Sequence, residues 1–138
     1  MDLFTTAVPD SARAAALWCG LLILLLITLS GLVVRQRRRL RIGYGDGEAP
    51  ELMGASRAFG NAAEYAPAAM AGLALMAMVS AAPWLIHLVG ATFMLGRIIH
   101  AFGLSRSVGA TRARVAGMML TYVSLLVLAV VLIAFAVP

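Results

Sequence analysis

Three long apolar stretches dominate the chain. Ala14 to Val34 is 21 residues without a charge, Tyr65 to Gly96 is 32, and Val115 to Pro138 is 24. About 20 apolar residues cross the hydrocarbon core as a helix, so the first and last stretches each predict one crossing. The middle one is too long for one. Ser80-Ala81-Ala82-Pro83-Trp84 divides it, since proline suits a first helical turn and tryptophan suits the membrane interface. The pattern predicts an all-α, integral membrane four-helix bundle in a single domain over residues 1–138, with helices at about 12–34, 52–82, 83–104 and 112–137. Residues 35–51 form the expected loop. The third helix can cross only by taking Arg97 and His100 into the bilayer.

The first stretch has the hydrophobicity of a signal peptide. Arg35 to Arg41 follows it directly, however, and no small-x-small cleavage site closes it, so it reads as a retained helix with a positive stop. Hydrophobic residues make up 62% of the 138 residues and charged ones only 12%, too few for an ordinary soluble domain. The net charge of +5 is carried by arginine alone. These arginines flank apolar spans, which points to a membrane surface and not to nucleic acid. Arg35, Arg37, Arg38, Arg39 and Arg41 follow the first helix, and Arg106, Arg112 and Arg114 follow the third. Four crossings put both loops on one side, and the positive-inside rule makes that side cytoplasmic, with both termini outside. Cys19 stands alone in an apolar run and reads as a small core residue. Gly43, Gly45 and Gly47 have no preceding strand and no following Gly-Lys-Ser/Thr, so they read as a flexible turn and not as a phosphate loop.

The chemistry gathers where polar residues enter the spans. Arg57, Asn61 and Glu64 are spaced i, i+4, i+7 and share one helical face; Arg97 and His100 share another. Counted from the outer helix ends at roughly 1.5 Å per residue, Glu64, Arg97 and His100 reach similar depth near the cytoplasmic edge of the core. A purely structural arrangement would pair Glu64 with Arg97 and let Asn61 tie helices together. But one acid faces Arg57, Arg97 and Arg114, and the surplus positive charge suits an anionic ligand. Arg114, Gly117 and Thr121 share a face of the fourth helix, with Ser124 nearby. His87 and His100 lie at opposite ends of the third helix, so neither a metal site nor a catalytic triad is expected.

Arg57-Ala-Phe-Gly-Asn61-Ala-Ala-Glu64-Tyr-Ala-Pro67 resembles the Arg-Ala-His-x-Asn-x-x-Glu-x-x-Pro signature of the MAPEG family, the membrane-associated proteins in eicosanoid and glutathione metabolism. Gly96 to Leu104 resembles that family's third-helix Arg-x-x-His segment, and the glycine-rich loop before the signature is similar to its bacterial branch. The resemblance covers about Arg35 to Thr121. It implies a homotrimer in a bacterial inner membrane, with glutathione as co-substrate between subunits on the cytoplasmic side. It assigns glutathione binding to Arg57, Asn61, Glu64, Arg97 and His100, and more weakly to Arg35 or Arg37 at the end of the first helix. It assigns thiolate stabilisation to Arg114. Phe59, Gly60, Leu104 and Met118 depart from the family pattern and remove side chains that hold the peptide in other members.

The expected function is therefore a membrane glutathione-dependent transferase or peroxidase acting on lipophilic electrophiles that enter from the bilayer. A non-enzymatic lipid-binding or scaffold protein on the same fold is the alternative, favoured by those departures. A small multidrug transporter also has four short helices and a membrane glutamate. That glutamate must bind cations, whereas here arginines surround Glu64.

Overall fold

Where each helix ends is set by local chemistry. The computed structural model describes residues 8–106, 109 and 111–137. Helix α1 spans Asp10–Leu40, α2 Pro50–Met78, α3 Pro83–Arg106 and α4 Arg112–Ala136, with no strand among the described residues. Helix α1 does not stop at Val34, as the apolar pattern predicts, but carries the arginine run to Leu40. Arginine is a good helix former, and its charge is favoured at a helix C-terminus. The chain then turns at Arg41, which takes φ 56°, and the Ile42 N–H bonds back to the Arg37 carbonyl at 3.1 Å. The true connection is thus residues 41–49, not 35–51. Pro50 opens α2 at its first position, and α2 ends at Met78, four residues before the expected limit. Ser80 takes φ 56°, and the Ser80 and Ala81 amides turn back onto Ala77 and Met76.

The helices run alternately up and down. Cys19, in the first third of α1, meets Met70, in the last third of α2, and Arg39 meets Glu51 at the other end, which fixes an antiparallel pair. Arg97 on Asn61 does the same for α3 and α2, and His100 on Arg114 for α3 and α4. Trp18 on His87 and Tyr65 on Tyr122 then align α1 with α3 and α2 with α4 in parallel. Helices α2 and α3 occupy the middle, and α1 and α4 do not touch among the described residues.

By length and composition α1, α3 and α4 can cross a membrane. Helix α2 carries the polar face and is less apolar, but it lies in register with α1 and α3 along the same thickness. The core between them is Leu22, Leu73, Met76, Ile86 and Phe93, each fully buried. Leu24, Ile27, Leu126 and Ile133 face outward from α1 and α4. In water such faces would drive aggregation; in a bilayer they match the lipid.

Because lipid is as apolar as leucine, helix association in a membrane depends on close packing. The tightest contact joins α3 to α4. A Cβ on Gly117 would stand 2.5 Å from the His100 amide nitrogen and 2.6 Å from the Gly96 carbonyl. Backbone cannot yield as a side-chain tip does. Gly117→Ala is expected to separate the two helices and destabilise by about 1–3 kcal/mol, the usual cost of overpacking. Thermal unfolding in detergent checks this; an unchanged midpoint would mean that the contact is not tight.

Candidate functional site

The first turn of α4 is placed by a cap. Thr111 Oγ1 accepts from the Arg114 amide at 3.2 Å, satisfying one of the orphan N–H groups at the helix start. This puts Arg114 against the ends of α2 and α3. There a groove of about 470 Å³ is lined by Arg57, Asn61, Glu64, His100, Arg114 and Met118. Its size falls in the roughly 300–1,000 Å³ range of small-molecule sites. A second cavity of about 350 Å³ adjoins it, sharing Arg57 and Arg114 and adding Arg106. Both lie at the arginine-rich end of the bundle.

Arg97 stands behind this groove, not on its surface. It is 1% exposed. Its Nη1 donates to Asn61 Oδ1 at 3.0 Å and to the Asn61 carbonyl at 3.4 Å. A guanidinium can only donate, so the amide oxygen of Asn61 must face it. The Arg97 Cζ also sits 5.3 Å from the centroid of the Tyr65 ring, within cation–π range. Its Nε and Nη2 are buried without a hydrogen-bond partner among the described residues. The pairing of Glu64 with Arg97 that the sequence suggested is absent: Glu64 is exposed and forms no ion pair among the described residues. A shared helical face sets direction, not reach, and the shorter Asn61, one turn away, takes the contact instead.

His100 is buried against α4, and its Nδ1 donates to the Arg114 carbonyl at 2.8 Å. A carbonyl only accepts, so Nδ1 carries a proton, and in a neutral ring Nε2 is then the acceptor. The Arg114 Nη1 donates to the Gly109 carbonyl at 2.6 Å, so this side chain is held across the α3–α4 connection. Arg57 is exposed on the α2 rim. Arg35 and Arg37 lie outside the groove. Arg37 Nη1 bonds to the Gly45 carbonyl at 2.8 Å and braces the α1–α2 connection, and Arg35 is exposed near the end of α1.

Sequence reasoning passed over the Tyr65–Tyr122 contact, whose hydroxyls lie 3.2 Å apart between α2 and α4. The signal was present: each tyrosine lies four residues beyond a residue lining the groove, Asn61 and Met118. The Trp18–His87 bond at 3.1 Å, at the other end of the bundle, was also missed.

Helices able to cross a bilayer, packed together with a charged groove at one end, define an integral membrane protein. The MAPEG family model matches residues 15–134, and the chain belongs to the MAPEG family. It is 39% identical over 114 residues to the inner membrane protein YecN of Escherichia coli strain K12, covering 83% of this chain and 86% of that protein. The YecN protein of Escherichia coli O6:H1 is similar to the same degree.

Proposed function

We propose that the groove binds glutathione and presents its thiolate to a lipophilic electrophile or peroxide dissolved in the bilayer. One observation carries this reading: two arginines and one carboxylate share a groove of about 470 Å³ beside a polar amide. Glutathione offers carboxylates, an ammonium and a thiolate, so one arginine can take a carboxylate, the other the thiolate, and the glutamate the ammonium. Arg57 takes a carboxylate and Glu64 takes the ammonium. His100 Nε2 is an acceptor for a peptide N–H. Arg97 acts from behind, by fixing Asn61. Arg114 faces the sulfur, where its charge and the N-terminus of α4 both favour the thiolate.

The chain would work as a homotrimer in a bacterial inner membrane, the arginine-rich end in the cytoplasm. Arg35 and Arg37 of one subunit would then serve the groove of the next. A reporter fused after Pro138 is expected to be active only outside the cytoplasm; cytoplasmic activity would reverse the orientation. The lipid-binding alternative draws support from the apolar Leu104 and Met118 on the groove wall.

Calorimetric titration of the purified protein tests the reading. Glutathione should bind, and cysteinylglycine, which lacks the γ-glutamyl carboxylate and ammonium, should bind at least tenfold more weakly. Equal affinities, or no binding, would refute the charge match.

A further inference from the structure

The Tyr65–Tyr122 pair offers a hydrogen-bond donor that nothing among the described residues uses. In a pair of hydroxyls, one donates to the other, and the second keeps its own hydrogen. The two oxygens are 3.2 Å apart, and no other hydrogen bond is made by either hydroxyl among the described residues. The rings meet edge to face at 70°, with centroids 6.0 Å apart, so packing holds them. Tyr122 is 51% exposed on the outer surface of the bundle. Hydrocarbon offers that remaining hydrogen no acceptor, and an unmade bond there is costly.

Position gives the donor a use. Tyr65 lies one helical turn from Asn61, and Tyr122 one turn from Met118; Asn61 and Met118 both line the charged groove. One turn is about 5.4 Å, so both residues lie about that far along their helices beyond the groove, away from the arginine-rich end. A molecule entering from lipid along α2 and α4 meets them before it reaches the thiol. The Arg97 guanidinium lies 5.3 Å from the Tyr65 ring centroid, so negative charge growing at this spot sits in the field of a buried cation.

We propose that Tyr65 and Tyr122 hold the carbonyl oxygen of a lipid-soluble α,β-unsaturated aldehyde or ketone. The catalytic part of this inference rests on the glutathione reading above. The thiolate sulfur bonds to the β-carbon, the carbon–carbon π pair shifts to form a double bond between the α-carbon and the carbonyl carbon, and the carbonyl π pair moves onto its oxygen. The enolate oxygen so formed accepts the free tyrosine hydrogen bond. The α-carbon then takes back, from water, a proton equivalent to the one the thiol released. A purely structural interhelical tie would stabilise the bundle but would not discriminate between substrates.

The test uses the full chain in detergent or liposomes. 4-Dimethylaminocinnamaldehyde absorbs in the visible, and its band moves to longer wavelength when its oxygen accepts a hydrogen bond. Titrated without glutathione, it should red-shift with the wild-type protein. The shift should be lost in the double variant Tyr65→Phe/Tyr122→Phe, and each single variant, which keeps one hydroxyl, should show a smaller shift than the wild type. With glutathione, kcat/KM for an unsaturated ketone should fall about ten- to a hundredfold in the double variant, and that for an aryl chloride should change less than threefold. No red shift in the wild type, a shift that persists in the double variant, or equal losses on both substrates would each overturn the proposal. A tyrosine-dependent shift in a protein that fails to bind glutathione would sink the transferase reading and leave the carbonyl site standing. Glutathione binding without the shift would do the reverse.

Discussion

Asn61→Leu will cost far more stability than Glu64→Gln. Arg97 is buried, and Asn61 supplies its hydrogen bonds among the described residues, through both the side chain and the backbone carbonyl. Leucine keeps the carbonyl but removes Oδ1, so a charged group already short of partners at Nε and Nη2 loses another. A hydrogen bond to a charged group contributes about 1.5–3 kcal/mol, and leaving the charge buried without it pushes the cost to the top of that range. The protein is expected to express poorly or to lose several degrees of thermal midpoint. Glu64 is exposed and makes no ion pair among the described residues, so Glu64→Gln should leave the stability within about 0.5 kcal/mol of wild type. It should instead weaken glutathione, whose ammonium it would hold. Size-exclusion profiles after heating, run on both variants, decide between them. Loss of the fold in Glu64→Gln would restore that carboxylate as the counter-ion of Arg97.

The second large effect separates two arginines of the groove. Arg57→Ala should weaken glutathione by roughly ten- to a hundredfold, the worth of one charge-assisted contact to a carboxylate. Its side chain is exposed on the α2 rim, so its removal disturbs no packing. Arg114→Ala should act on the thiol. An ordinary thiol has a pKa near 8.5, and a close cation lowers it. Without Arg114 the bound thiol should return toward that value, and turnover at neutral pH should fall at least tenfold with a smaller change in affinity. The substitution also removes the bond to the Gly109 carbonyl, so helix content and thermal midpoint are needed as controls.

The bundle was legible because membrane helices are written in composition. Charge-free runs, a proline at a helix start and arginines at the ends located all four elements. What failed was confined to ends and reach. The arginine run looks like a loop on a hydropathy scale, yet Arg35 to Leu40 continue α1, because arginine forms helix readily and its charge is favoured there. The turn at Ser80 needs a positive φ that no residue type announces. In the groove, periodicity placed Arg57, Asn61 and Glu64 on one face, and the structure brings them beside His100 and Arg114. Periodicity could not say that Arg97 lies behind Asn61, nor that His100 binds the Arg114 backbone and not its side chain. Those contacts depend on how closely α3 meets α4, and Gly96 and Gly117 set that distance. The Tyr65–Tyr122 contact needs the parallel register of α2 and α4, which emerges only once all four helices are packed.

Thiolate absorbance during titration of the purified protein with glutathione tests the central claim most directly. The account predicts a saturable rise near 240 nm at neutral pH in the wild type. Arg57→Ala should show the same rise at higher glutathione concentration, and Arg114→Ala should saturate with little or no rise. Binding without thiolate in the wild type, or a full thiolate signal in Arg114→Ala, would contradict it.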